Sequence, residues 1–365
     1  MSGTQMANKF EIAVFNGDGI GPEIMEPTVA ILKSLADASG AYSFKFDFAD
    51  AGASHYAKTG VSLPEASLES ARNADAILLS AMGLPSVRYE DGTEISPQID
   101  LRKELNLFAG VRPVRIAPGQ KSPLKLEENQ AIDFVLIRES TEGLFYSQGK
   151  GEVTKDSASE TMMITRQTSE DLFQFAFSLA KQRKALNQGK GELTCVDKAN
   201  VFRAFAFFRD IFDKEAAKHT DVTAKHAYVD ATALWMVTKP WDFDVLVTEN
   251  MFGDILSDLG AGLMGGLGLA PSADIGKHNA VFQPCHGSAP DIAGQNIANP
   301  FAMILSAAMM LEWLGLKADN QQMIKDAQLL RDAVDAVVVD GKKTTRDLGG
   351  SSNTTQAGEA VMERL

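Results

Sequence analysis

The chain has 365 residues, 45% of them hydrophobic, and a formal net charge of −13. That length supports a sizeable core and implies two domains or one large α/β unit, while the acidic balance argues against a broad nucleic-acid surface but not against a small, locally basic pocket. No apolar run approaches the roughly 20 residues of a membrane span, the N-terminal MSGTQMANKFEIAVF lacks the plan of a signal peptide, and Cys195 and Cys285 offer neither metal nor disulfide spacing, so a reducing, cytoplasmic setting is expected.

After a short polar tail, Phe10 to Phe15 reads as a strand. The glycine-rich NGDGIGPE turn, Asn16 to Glu23, opens a helix to about Ser39, with Pro22 suited to its first turn. The spacing is GxGxG rather than GxGxxG, with no acidic residue clearly placed about 20 residues on, so the standard dinucleotide fingerprint is not met. Tyr42 to Asp50 alternates as a second strand, Pro64 and Glu65 open another helix, and Ala74 to Ser80 is a buried strand. Such alternation predicts a mostly parallel, twisted sheet.

SPQIDLRKELNLFAGVRPVR, Ser96 to Arg115, places Arg102 on a helix and Arg112 after it. A strand from Phe134 to Ile137 ends at Arg138. Taken singly, an arginine is usually a surface residue. Three near element ends could instead form forked clamps for a di- or tricarboxylate. Gly149 to Thr165 suits a hairpin arm reaching a partner subunit, and Ser169 to Asn187 is an amphipathic helix.

The strand from Leu193 to Asp197 delivers Lys198, and the strand from Ala224 to Val229 delivers Asp230. In WDFDVLVTENMFGDILSDLGAGLMGGLG, Trp241 to Gly268, a short buried strand turns into a helix bearing Asp254 and Asp258. Four residues apart, these carboxylates leave one face. A solvated acidic face would explain them alone; a hard-cation site at a strand's C-terminal end would explain them together with their neighbours. Met251, Ile255, Leu256, Leu259 and Leu263 are expected to pack on a core, and Gly260 to Gly268 to form a bend. Ala280 to Pro284 is a further strand. It leads to HGSAPDIAG, His286 to Gly294, whose small residues suit a nucleotide loop and whose Asp291 could take ribose hydroxyls. The rest is largely helical, starting with a core helix of about three turns from Phe301.

GDGIGPE, LRKELNLF, VRPV, RESTEG, VDKANV, YVDATA, TENMFGDILSD and HGSAPDIAGQNIANP, in this order from about residue 10 to residue 360, resemble the decarboxylating β-hydroxyacid dehydrogenases. That family includes isopropylmalate, isocitrate, homoisocitrate and tartrate dehydrogenases. The resemblance implies its two-domain α/β fold, with a large mostly parallel sheet that is not a standard Rossmann fold. Residues 1–107 and 265–365 would form the large domain, and 108–264 the small, dimerising one. It also implies a homodimer with shared sites, NAD, and Mg²⁺ or Mn²⁺. Arg102, Arg112 and Arg138 would bind substrate carboxylates; Asp230, Asp254 and Asp258 would hold the metal; Lys198 would transfer the proton. Lys198 and Asp230 would come from the other subunit. Glu249, Asn250, His286, Gly287, Ser288, Ala289, Pro290, Asp291 and Asn299 would contact the cofactor, with Asp291 favouring NAD.

The chain also departs from the family pattern. The expected catalytic tyrosine, seven residues after Arg138, is Phe145; Tyr146 follows one residue later and could replace it through a local bulge. At the substituent pocket stand Ser96, Gln98, Ile99 and Val201, a mixture of isocitrate-like and isopropylmalate-like positions. The expected substrate is therefore a 3-substituted malate, isopropylmalate foremost, with isocitrate, homoisocitrate, tartrate or a dimethylmalate-like acid as alternatives. A non-catalytic subunit of a hetero-oligomer is the reading from another class.

Overall fold

Short apolar runs bounded by glycine, proline and polar turns become strands here, and the amphipathic stretches between them become helices. The structure is a computed structural model that describes residues 8–127 and 130–365. The polar tail expected before the first strand lies largely outside the described residues. The N-terminal part comprises β1 (Asn8–Phe15), α1 (Gly21–Ser39), β2 (Tyr42–Phe48), α2 (Ala53–Thr59), α3 (Glu65–Asn73), β3 (Ala76–Leu79) and α4 (Pro97–Glu104). The middle comprises β4 (Ala109–Arg115), β5 (Asp133–Glu139), β6 (Glu152–Val153), β7 (Ala158–Ser159), α5 (Arg166–Ala185), β8 (Glu192–Asp197), α6 (Arg203–Ala216), β9 (Thr223–Tyr228), α7 (Val229–Thr238), β10 (Val245–Thr248) and α8 (Asn250–Leu263). Last come β11 (Pro271–Ile275), β12 (Ala280–Pro284), α9 (Phe301–Lys317), α10 (Gln321–Asp340) and α11 (Thr354–Met362).

Ten strands form one sheet in the order β2-β1-β3-β12-β11-β4-β5-β10-β8-β9. The block β2-β1-β3-β12 is parallel, and so is β5-β10-β8-β9. Three antiparallel ladders, β12–β11, β11–β4 and β4–β5, join the blocks. One half of the sheet is thus built from the two ends of the chain and the other from its middle. A discontinuity between parallel blocks is where open α/β sheets form ligand crevices.

One sheet face packs against α1, α5, α6, α9, α10 and α11 in a continuous core. The other face carries two separate groups, α3 and α4 over the terminal strands and α7 and α8 over the middle ones. The crevice lies between these groups. Side chains alternate across a strand: in β4, Ala109 and Val111 enter the continuous core, Val114 packs beneath α8, and Arg112, in phase with Val114, lines the crevice.

The sequence reading missed β11 and α2. The expected arm exists as the exposed β6–β7 hairpin, but the alternating stretch after it pairs only through Met163 with Gly143. Instead of a bend from Gly260, α8 continues to Leu263. The helix from Phe301 spans 17 residues, well beyond three turns. The NGDGIGPE turn is a structural junction. Asp18 is buried and accepts from the backbone N–H of Ala53, Ser54 and Gly83 at 2.8–2.9 Å. Gly19 (φ 58°) lies so close to the Ser288 carbonyl that a Cβ would sit 2.0 Å from its oxygen.

Candidate active site

Helix α8 forms one wall of the crevice. Its N-cap is Glu249, whose carboxylate accepts from the N–H groups of Met251 and Phe252 at 3.0 and 3.3 Å. Leu256, Ala261 and Leu263 anchor the helix in the core beneath. Asp254 and Asp258 face the crevice. Ile255, expected in the core, is 62% exposed. Gly253 lets the helix close over Arg138: a Cβ there would lie 2.6 Å from the arginine's own Cβ.

The floor is basic. Arg138, at the end of β5, donates from Nε to Asn250 Oδ1 at 2.8 Å and pairs through Nη1 with Asp254. Burial, followed by the charges of Arg102 and Arg112, lowers its pKa to about 10. Arg112, also buried, points its Nη1 at Cys285 Sγ, 3.4 Å away. Arg102 reaches in from α4, and its Nε donates to Asp274 Oδ2 at 3.0 Å. Gln98 and Ile99, from the same helix, make the wall opposite α8, and Phe145 lies beneath the Arg138 guanidinium, 5.1 Å from ring centroid to Cζ. The cavity encloses about 250 Å³.

Three buried polar atoms around this cavity have no partner among the described residues: Gln98 Oε1, Arg112 Nε and His286 Nε2. Such groups are costly unless something completes them. His286 Nδ1 contacts the Gly287 carbonyl at 3.0 Å, which places the proton on Nδ1 and leaves Nε2 an acceptor. Burial keeps the ring's pKa below its ordinary value. Burial first, and then the neighbouring charge of Asp254, raises the Asp258 carboxyl. Two partly buried carboxylates one helical turn apart suit a hard cation.

His286 and Gly287 also border a second, largely apolar cavity of about 600 Å³, with Ile20, Leu267, Ala289, Ile297 and Asn299 in its wall. The two cavities therefore meet. The loop carrying His286 is fixed by Ile20 N–H to Ser288 O at 2.8 Å, by Ser288 Oγ to the Gly83 carbonyl, and by Glu23, which accepts from Gly294 and Asn296 N–H.

The family described as "Isocitrate/isopropylmalate dehydrogenase" matches residues 11–361. The chain belongs to that family. It is 42% identical to the 3-isopropylmalate/3-methylmalate dehydrogenase of Methanocaldococcus jannaschii, over 97% of this chain and 98% of that one. It is 39% identical to the 3-isopropylmalate dehydrogenase of Streptococcus pneumoniae, over 99% and 100%. Among solved structures, isocitrate dehydrogenase from Methylococcus capsulatus superposes with a TM-score of 0.85 at 36% identity, covering 97% of this chain and 99% of that one. The chain is thus a decarboxylating dehydrogenase with the family's fold.

Within this dehydrogenase, several expected site residues lie elsewhere. Lys198 and Asp230 do not line their own chain's cavity; they pair with each other at 2.8 Å. Asp230 sits in the first turn of α7, with its side chain 68% exposed. Among the described residues of one chain, no three His, Cys, Asp or Glu side chains converge as a metal site. Val201 is exposed and does not line the cavity. Ser96, at the N-cap of α4, turns its hydroxyl to the Glu94 carbonyl. Glu249 and Asn250 spend their side chains inside the fold, Glu249 on its helix and Asn250 on Arg138 and the Glu142 carbonyl. Asn299 caps Phe301 N–H at 2.9 Å while bordering the second cavity. Asp291 is exposed in a 3-10 turn between the lining residues Ala289 and Ile292; Pro290 opens that turn.

The extended segment assumed for Tyr146 is a 3-10 helix, Leu144–Ser147. Successive side chains there rotate by about 120°, so no bulge returns Tyr146 to the cavity. Phe145 faces it, and Tyr146 lies 42% exposed beside Lys150. Sequence reasoning missed Asp274, Gln283, Cys285 and Ser257. The last three line the cavity, and Asp274 lies beneath it. Nothing local in PSADI signalled Asp274.

Proposed function

We propose that the chain catalyses the NAD- and divalent-metal-dependent oxidative decarboxylation of a 3-substituted malate, 3-isopropylmalate or a near analogue. The observation that carries this reading is the convergence of Arg102, Arg112 and Arg138 on a cavity walled by Asp254 and Asp258, next to a second, apolar cavity that shares His286 and Gly287. The names of the relatives from M. jannaschii and S. pneumoniae support the substrate.

Forked guanidinium groups hold the malate carboxylates and set the face of the hydroxyl-bearing carbon. Asp254 and Asp258, with Asp230 of the partner subunit, would hold Mg²⁺ or Mn²⁺, which when bound supplies a Lewis acid for the substrate oxygen. The apolar cavity and the adjoining Asp291 would hold NAD, which when bound would supply the hydride acceptor. Lys198 of the partner subunit takes the hydroxyl proton at Nζ. Its separation from its own chain's cavity supports a homodimer with shared sites. The exposed Leu234, Val237 and Ile255 on α7 and α8 offer the apolar surface for it. The dimer would form through the domain of residues 108–264, with 1–107 and 265–365 carrying the nucleotide.

Ile99 and Phe145 can pack an apolar 3-substituent, while Gln98 must find water or a polar group. Isocitrate, homoisocitrate, tartrate and dimethylmalate are therefore the other members of the decisive panel. NADH formation by the purified chain with Mn²⁺ is expected to be fastest with 3-isopropylmalate. Phe145, which has no proton to give, would suit a non-catalytic subunit; no NADH from any acid would establish that reading. The described residues contain no helix able to cross a membrane, and a cytoplasmic setting is part of the proposal.

A further inference from the structure

Asp274 is the last residue but one of β11, fully buried, and does not line the cavity. Its Oδ2 accepts from Arg102 Nε at 3.0 Å and from Gln283 Nε2 at 2.6 Å. Its Oδ1 accepts from Ser140 Oγ at 3.3 Å and lies 3.7 Å from an Arg112 Nη2. A carboxylate this deep is tolerated only with close cationic partners. Burial works to raise its pKa, and the charges of Arg102, Arg112 and Arg138 outweigh burial and hold it below the usual range.

The geometry has two consequences. Binding at Nε fixes the plane of the Arg102 guanidinium, and its two Nη groups bond no other group among the described residues. They remain available as a fork. Asp274 also removes one of three positive charges from the floor. A floor with all three charges would attract any small dianion more strongly, but with nothing to align the forks.

We propose that Asp274 is a positioning residue of the arginine clamp, a buried counter-charge that aligns Arg102 and Arg112 and trades anion affinity for alignment. This rests on the reading of the three arginines as the carboxylate clamp of a dehydrogenase. The alignment acts on turnover, and the charge acts on affinity, so losing Asp274 moves the two in opposite directions. A merely structural residue would weaken both.

The test uses the full-length protein, with malonate as a dianion probe that needs no turnover. Asp274→Asn keeps the side-chain volume and loses the charge. By calorimetry it is expected to bind malonate about tenfold more tightly, while kcat on the preferred malate falls by about tenfold or more. The exchange variant Asp274→Asn/Gln283→Glu returns a carboxylate to the other end of the 2.6 Å contact. It is expected to restore malonate affinity and most of kcat. Should Asp274→Asn not fold, the exchange variant decides alone, since it preserves the charge of the floor. Weaker or unchanged malonate binding in Asp274→Asn, or an exchange variant that recovers neither property, overturns the proposal. A parent chain that binds malonate but oxidises no malate overturns the functional reading and leaves the malonate comparison to judge Asp274.

Discussion

Lys198 Nζ and Asp230 Oδ1 lie 2.8 Å apart on the flank of the chain, away from the cavity that Asp254 and Asp258 border. In the proposed roles of proton-transfer group and metal ligand, the two would serve a neighbouring molecule's cavity. Each cavity would then combine Asp254 of one subunit with Lys198 of the other. Lys198→Ala and Asp254→Asn, each inactive alone, are expected to complement when mixed and reassociated. Half of the dimers would be mixed, each with one intact site, giving about a quarter of the parent activity. Absence of complementation, with mixed dimers verified by mass, would show that the sites are not shared.

Asp254 pairs with Arg138, whereas the loop from His286 borders the apolar cavity. Removing one carboxylate should therefore leave the nucleotide end intact. Asp254→Asn is expected to lower turnover by several kcal/mol of transition-state stabilisation, on the order of 100-fold or more. NAD affinity by fluorescence titration should stay within about twofold of the parent. Loss of NAD binding would mean that the two cavities had been assigned the wrong way round.

Tyr146 is held outside the cavity by the 3-10 geometry of Leu144–Ser147 and by Lys150, 4.7 Å from its ring centroid. A phenol in that position cannot reach a substrate seated over Phe145. Tyr146→Phe is expected to leave kcat within about twofold of the parent, as for an exposed side chain with no buried partner. A hundredfold fall would put the hydroxyl back in the chemistry and imply that the segment rearranges when substrate binds.

The polar residues near strand ends were legible in the sequence because their chemistry is local: Arg138 sits near the end of β5, Asp254 on the helix that follows β10, and His286 just after β12. Asp274 was not legible. PSADI carries an aspartate, a residue depleted in strands, so its local preferences argue against a central strand. Only pairing with β4 and β12, far away in sequence, makes it one. Lys198 and Asp230 differ again. Their positions after strand ends were readable, but within one chain they meet each other and not Asp254, and a pairing across two molecules has no signature in the local sequence. The face of Tyr146 required the local helix type, which a four-residue segment does not announce.

Gly19 joins the first turn of the fold to the loop that carries His286 and Ser288. It has φ 58°, and a Cβ would meet the Ser288 carbonyl oxygen at 2.0 Å. Gly19→Ala must push Ser288 away and hold a left-handed backbone, at a cost of roughly 1–3 kcal/mol. The expected result is a lower melting temperature and weaker NAD binding, with the KM for the malate nearly unchanged because the arginines lie on α4, β4 and β5. Equal losses at both ends would show that the turn supports the whole crevice.

Glu139 closes β5 beside Arg138 and is buried. Burial pushes its carboxyl up to about 7, against the pull of Thr141 and Glu142, whose donors lie 2.6–2.8 Å away and favour the anion. The native group then keeps its proton between its ordinary 4.5 and about 7, while the unfolded chain has already released it. The unfolded state binds fewer protons across that window, so stability falls as pH rises through it. The full effect, reached above 7, is on the order of 3 kcal/mol. Urea unfolding at about pH 5 and about pH 8 should show this decline in the parent chain and a flatter profile in Glu139→Gln. Identical slopes in the two proteins would mean that the three donors hold Glu139 as an anion throughout, with its burial fully offset by hydrogen bonding.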